Sequence, residues 1–497
     1  MKQQFKDLVV YEIYPTSFKD SNHDGIGDLK GITEKLDYVK EMGFNAVWLN
    51  PVYKSPFKDG GYDVENFFEI DEKFGTLDDF KDLIQKAHAM EIKIFMDLVA
   101  GHASFMNKDF LKSAEALRND KSDLFIWTDS VWELPKNYRL ISGMHDRFGC
   151  YLVNFFAHQP AFNYGFKKIE YPQWQMSYKD ERTFAARNYM LDVMRYWLSL
   201  GADGFRVDMA DSLVKNDEDK SATIEVWNWM FERIRQEYPN AFFVSEWSNP
   251  QRALKAGFDA DFVLDHWDNF YHRFFRSNLN TRGESIFHGG GDISFALKDM
   301  KERFNEAEKQ EGSLALISGN HDSDRIASSL DHDLLKVFYL MLFTLPGIPF
   351  VLYGDELEMK TSPITSKDGG YQRTGTRIPM IWKEEGKNHG FTDEDMTPYL
   401  PFYEENRISA EKAQEDGDSL YHFIKNLIKL RKEIEDLKDA KVDIQEKDRV
   451  FTFNRGSYVL IVNLSDQPIE LDHKIIISSR KNVSDILPPY SGALIHE

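Results

Sequence analysis

Short apolar runs alternate along the chain with amphipathic stretches of helical period. Eight runs read as strands, at residues 8–14, 45–50, 92–98, 204–208, 242–246, 261–265, 314–319 and 348–353. Helical stretches lie between most of them, for example at 33–42, 77–90, 184–200 and 223–237. Alternation of this kind predicts parallel strands joined by right-handed crossovers. Eight such units predict a closed (β/α)8 TIM barrel, whose functional groups sit at the C-terminal strand ends.

Two spacings break the rhythm. The gap between the third and fourth strands is far longer than one crossover helix needs. Residues 103–172 are therefore expected to form an inserted domain, with 1–102 and 173–438 building the barrel. After the eighth strand an irregular stretch, 358–418, precedes an amphipathic helix at 420–435. Short β runs follow at 450–454, 458–463 and 474–478, so 439–497 is expected to be a small antiparallel β domain.

Composition narrows the function. A chain of 497 residues exceeds one compact core, in keeping with several domains. The net charge of −21 repels phosphate, which argues against nucleic acid and an anionic membrane surface as partners. Cys150 is the only cysteine, so no intrachain disulfide forms. The first residues lack the apolar stretch of a secretory signal, and no run reaches the length of a membrane span. A cytoplasmic location is the expectation.

The chemistry gathers at predicted strand ends. In the fourth strand, GFRVD, Arg206 and Asp208 project to one face. Alone, Arg-x-Asp reads as a structural ion pair. Three further strand ends carry Asp97 with His102, Glu246, and His321 with Asp322. Retaining glycoside hydrolysis needs two carboxyl groups about 5 Å apart, one a nucleophile and the other an acid/base. Asp208 fits the nucleophile, because Arg206 is expected to keep it ionised. Glu246 ends an apolar strand and precedes Trp247, surroundings that raise its pKa toward that of a general acid. Asp322 supplies a third carboxylate.

Several segments as they stand resemble motifs of the α-amylase family of glycoside hydrolases: DLVAGH at 97–102, GFRVD at 204–208, FVSEW at 243–247 and GNHDSDR at 319–325. The segments at 43–56 and 347–356 resemble that family's second and eighth strands. The resemblance covers nearly the whole chain. It implies Asp208 as nucleophile, Glu246 as acid/base and Asp322 as transition-state stabiliser. It also implies His102, Arg206 and His321 as sugar ligands and Tyr62 as the ring stacked beneath that sugar. Asp59 matches an acid with which exo-acting relatives bind a terminal glucose, and Arg377 resembles its partner. Such a pair would close one end of the groove into a pocket. Asp211 and Ser212 stand where endo-acting amylases carry a Lys-His pair, which argues against long starch chains. Met209, after the nucleophile, matches neither the α-1,4 nor the α-1,6 pattern.

Residues 20–28, DSNHDGIGD, place oxygen-bearing side chains at alternate positions before a glycine turn, like the first nine positions of an EF-hand loop. Gly31 at the twelfth position departs from that motif. Family resemblance implies one structural Ca²⁺ or Mg²⁺ here, with Asp20, Asn22, Asp24, Ile26 and Asp28 as candidate ligands. Gly101 and Ala161 stand where secreted amylases carry two oxygen ligands of an interdomain calcium, so a second ion is not expected. The sequence thus reads as a retaining α-glycosidase for short malto- or isomalto-oligosaccharides. Alternatives are a glucosyltransferase or phosphorylase on the same site, an endo-acting amylase, and a non-catalytic transporter ectodomain, which would need a membrane span.

Overall fold

The computed structural model describes residues 5–276, 285–367, 373–439 and 441–497. Every one of the eight apolar runs forms a strand: β1 Val10–Ile13, β2 Ala46–Leu49, β3 Lys93–Val99, β4 Gly204–Asp208, β5 Phe242–Ser245, β6 Ala260–Val263, β7 Ser313–Ile317 and β8 Ile348–Leu352. They close into a barrel in the order β1-β8-β7-β6-β5-β4-β3-β2, with every neighbouring pair parallel. Apolar side chains on both strand faces are buried, as in β2 and β5, which is why the strands read as runs rather than alternations.

One principal helix follows each strand: α1 Leu29–Met42, α2 Leu77–Ala89, α3 Phe184–Ser199, α4 Ser221–Glu237, α5 Pro250–Lys255, α6 Ile293–Lys309, α7 His332–Thr344 and α8 Leu420–Glu433. Helix α1 begins four residues before its expected start. The Asp28 carboxylate accepts from Gly31 N–H and caps it there, and Gly43 ends it in the left-handed region at φ 99°. Thr76 and Asp79 form a reciprocal capping box at the head of α2.

Between β3 and α3 the chain builds a two-stranded antiparallel ladder, Leu140–Ser142 with Cys150–Leu152. Cys150 lies buried at the start of the second of these strands. The C-terminal segment forms a five-stranded antiparallel sheet from β9 Asp443–Lys447, β10 Val450–Arg455, β11 Tyr458–Asn463, β12 Lys474–Ser478 and β13 Ser491–His496, in the order β9-β10-β11-β13-β12. It meets the barrel through Phe451, whose ring packs 5.4 Å from Phe274, and through Gly492 against Val337 and Leu340 of α7. Residue 440, next to the expected boundary at 438/439, and 368–372 within the stretch after β8 lie outside the described residues. No helix among the described residues is long and apolar enough to cross a membrane.

Candidate active site

The barrel register brings the β3, β4 and β5 ends together: Asp97 pairs with Arg206, and Val207 with Ser245. Arg206 is buried beneath them and serves three acids. Its Nη1 lies 2.7 Å from Asp97 Oδ1 and 3.0 Å from Asp208 Oδ1, and its Nη2 lies 2.8 Å from Glu246 Oε1. The second oxygen of Glu246 accepts from Met209 N–H at 2.8 Å. Met209 holds φ 42°, a left-handed conformation that costs a non-glycine residue on the order of 1–3 kcal/mol. The two acids expected to do chemistry thus bind opposite arms of one guanidinium.

This sharing corrects one expectation. Arg206 does not by itself hold Asp208 ionised. Burial and the Glu246 charge push the Asp208 carboxyl well above its ordinary range, against the pull of Arg206. Burial likewise raises Glu246, opposed by Arg206 and the Met209 amide. One cation shared by the buried Asp97 and Asp208 and the half-buried Glu246 favours a proton retained within the group. Asp322 behaves in the opposite way. Burial alone would raise it, but His321, Arg373 and Arg377 hold it well below the usual carboxylate range.

A second correction concerns Asp59. The arginine bonded to it is Arg373, not Arg377. Arg377 donates from Nη2 to Asp322 Oδ1 at 2.6 Å and from Nε to the His321 carbonyl at 3.0 Å. The cause is local. Arg377 ends the helical turn Thr374–Arg377, and its Nε bond to His321 pulls the fork over Asp322. Arg373 enters that turn from the other side and spans Asp59 and Asp322, reaching Asp322 Oδ1 at 3.0 Å. A side chain at Gly60, which has φ +57°, would meet Arg377 Nη1 at 2.2 Å, so glycine is required there. Gln159 adds a bond to Asp59 Oδ2 at 2.6 Å. Burial raises Asp59 to about 6, against the pull of Arg373, Arg377 and Gln159.

Tyr62 donates to Asp97 Oδ2 at 2.9 Å, and its ring stacks on His321 with centroids 5.2 Å apart and planes within 7°. His321 Nδ1 lies 2.7 Å from Glu12 Oε1, and its Nε2 lies 3.4 Å from Asp322 Oδ2. Burial drives His321 well below its ordinary pKa. Burial also lowers His102 to about 3, so its ring is neutral. A cleft of about 290 Å³ is lined by Asp59, Tyr62, His102, Asp208, Glu246 and Asp322, and also by Arg373, Phe155, Met209, Trp247, Leu264 and His266. The structure therefore brings all three expected acids together with Asp59, Tyr62 and His102. Arg206 and His321 support them from beneath. A cavity of about 330 Å³ at the opposite end of the barrel, near Glu308, Gly347 and Lys441, contains none of these acids.

Arg373, Gln159 and Glu12 were missed from the sequence. Glu12 left the clearest signal, as a lone acid inside the apolar run that forms β1. Arg373 stands four residues before Arg377 and carries no periodic mark.

In the loop at 20–28, Asp20 Oδ2 accepts from Gly25 N–H at 2.8 Å, and its Oδ1 accepts from His23 N–H at 2.7 Å. Asn22 Oδ1 accepts from Asp24 N–H, Asp24 Oδ1 accepts from Ile26 N–H, and Asp28 accepts from the amides of Ser21 and Gly31. Asp20 and Asp28 are buried. Hard oxygen donors of this kind suit Ca²⁺ or Mg²⁺ in their chemistry, and a carboxylate has lone pairs beyond those one amide uses. Among the described residues, no three acid, histidine or cysteine side chains converge as a metal-binding group. A site here would need the Asn22 amide oxygen and the Ile26 carbonyl to complete it.

Comparison with known proteins agrees with the geometry. A family model described as alpha amylase, catalytic domain, matches residues 12–440. The oligo-1,6-glucosidase of Heyndrickxia coagulans is 28% identical, the alignment covering 100% of both chains. The glucan 1,6-alpha-glucosidase of Streptococcus dysgalactiae subsp. equisimilis is 28% identical over 94% of this chain and 92% of its own. The solved trehalose-6-phosphate hydrolase of Bacillus licheniformis superposes with a TM-score of 0.82 at 25% identity over 99% of both chains.

Proposed function

The chain belongs to the alpha-amylase family of glycoside hydrolases, and from that premise we propose that it is a retaining α-glucosidase of short oligosaccharides. The observation that carries the reading is the pairing of Asp208 and Glu246 with one buried guanidinium at the C-terminal strand ends. Asp208 attacks the anomeric carbon while Glu246 gives its proton to the leaving oxygen. Water then attacks the glucosyl-Asp208 ester with Glu246 as base, and the product keeps the α configuration.

The shared proton makes this division of labour workable. When Glu246 carries it, the charge that most strongly raises Asp208 disappears. Arg206 is then left to Asp97 and Asp208, which favours the ionised nucleophile. Asp322 stays ionised beside the sugar and favours the oxocarbenium-like transition state. The Asp59–Arg373 pair closes the non-reducing end, so chain ends enter and long starch chains do not. The names of the relatives favour α-1,6 bonds and isomalto-oligosaccharides. The oxygen spacing at 20–28 supports one structural Ca²⁺ or Mg²⁺ held by Asp20, Asn22, Asp24, Ile26 and Asp28.

Proton NMR of products from isomaltotriose tests the reading. It expects α-glucose to be released first, with mutarotation following. Initial β-glucose would rule out the retaining route, and no release from any α-glucoside would rule out the glucosidase.

A further inference from the structure

The geometry points to Lys215 and Asn154 as positioning residues that fix the ring tautomer of His102 by dictating the polarity of a hydrogen-bond chain running into the cleft. Lys215 follows β4, and its backbone is tied to the end of the inserted segment: Lys215 N–H donates to the Gly165 carbonyl at 3.0 Å, and Lys167 N–H donates to the Lys215 carbonyl at 3.0 Å. Its ammonium donates to Asn154 Oδ1 at 2.7 Å and also to the Ser212 carbonyl. Burial lowers the Lys215 amine to about 7, and in its ammonium form it donates and never accepts, so there the Asn154 amide presents its oxygen to Lys215.

The rest of the chain follows from that orientation. The Asn154 Nδ2 group, with two hydrogens, lies 3.1 Å from Ser212 Oγ and 3.3 Å from His102 Nδ1. An amide N–H facing Nδ1 requires Nδ1 to be the acceptor, which puts the single ring proton on Nε2. Nε2 in turn lies 3.1 Å from the Tyr62 carbonyl, which can only accept. Every link has the same sense, from the lysine donor through the amide and the imidazole to Tyr62. His102 and Asn154 are both buried, so water does not easily substitute for a lost partner.

Gly101 supplies independent support. A Cβ there would lie 2.6 Å from Asn154 Nδ2 and 2.9 Å from Ser212 Oγ. Any side chain at this position would push the amide off His102. The bare glycine makes room for the amide at the point where β3 meets the inserted segment.

Functionally, a neutral His102 with its proton on Nε2 holds that donor on the Tyr62 carbonyl and offers no acceptor there. A substrate oxygen reaching Nε2 would have to accept, sharing or displacing that bond. The sugar contact rests on the glucosidase reading above; the tautomer does not.

The test is ¹⁵N NMR of histidine-labelled protein, with His102 assigned from the signal lost in His102→Gln. In the wild type the expected pattern is Nε2 in the protonated range and Nδ1 in the unprotonated range. Protonated Nδ1 in the wild type would overturn the proposal, whatever the variants do. Asn154→Asp keeps the shape but turns the donor into an acceptor, so Nδ1 should move into the protonated range. An unchanged pattern would overturn the role of Asn154. Lys215→Met removes the donor while preserving length. His102 Nδ1 should then shift toward the protonated range as the amide loses its preferred orientation, and an unchanged shift would overturn the role of Lys215. KM for a nitrophenyl α-glucoside should rise tenfold or more in Asn154→Asp. The NMR pattern stands as the readout even if that substrate proves wrong.

Discussion

Arg377 Nη2 donates to Asp322 Oδ1 at 2.6 Å, and this bond ties the eighth βα loop to the acid at the end of the seventh. Asp322 also receives Arg373, and the two cations hold it ionised against burial. Arg377→Ala removes the donor that Asp322 shares with the His321 carbonyl. Asp322 keeps partial exposure, so the expected loss lies below that of a fully buried pair, at about 2–3 kcal/mol. That is roughly a 30- to 150-fold fall in kcat/KM, expressed mainly in kcat. Arg373→Ala should instead raise KM, because it strands Asp59 at the sugar end. Steady-state kinetics of the two variants on one oligosaccharide check the division.

Glu246→Gln removes a proton donor and also the charge that raises Asp208. Two consequences are expected together. Substrates with good leaving groups should keep most of their first-step rate, while natural oligosaccharides lose theirs. The acidic limb of the pH profile for the activated substrate should move to lower pH, as Asp208 ionises more easily. Pre-steady-state bursts across pH with a dinitrophenyl glucoside measure both.

The barrel was legible because strands buried on both faces leave apolar runs. The strand-end positions of Asp208 and Glu246 were legible because these acids close such runs, and Asp322 follows one within a few residues. The pairing of Asp59 was not, since Arg373 and Arg377 lie on either side of one helical turn and only its geometry decides which fork reaches which acid. The protonation of Asp208 was hidden for a different reason. GFRVD shows one arginine beside one aspartate, whereas folding adds Asp97 and Glu246 to the same cation. The contacts of Asn154 escaped notice because they join segments near 101, 154 and 215, which no local pattern connects.

Glu356 makes stability depend on pH. It is buried and accepts from Tyr11 OH at 2.6 Å and Tyr38 OH at 2.8 Å. Burial raises its carboxyl from 4.5 to about 7, against the lowering effect of those hydroxyls. The folded state therefore keeps a proton that the unfolded chain releases between those values. Stability is fully present below the unfolded pKa and falls as pH rises through about 7, by roughly 3 kcal/mol at most. Thermal melts at pH 4.5 and pH 8 should show that loss, and Glu356→Gln should reduce it.

The ion has a separate check. Metal analysis after dialysis should find about one Ca²⁺ or Mg²⁺ per chain, and chelation should lower Tm more than activity. Asp20→Ala together with Asp24→Ala should abolish both the bound ion and the chelator effect. Two tightly held ions would contradict the reading of Gly101 and Ala161.

The central claim is that Asp208 becomes covalently glucosylated. Treating the enzyme with 5-fluoro-α-glucosyl fluoride and recording intact mass, then mapping the modified peptide, tests it most directly. The account predicts one added fluoroglucosyl group per chain, carried by Asp208 and absent in Asp208→Asn. A label on another acid, or turnover of the reagent without any label while Asp208→Asn stays active, would contradict it.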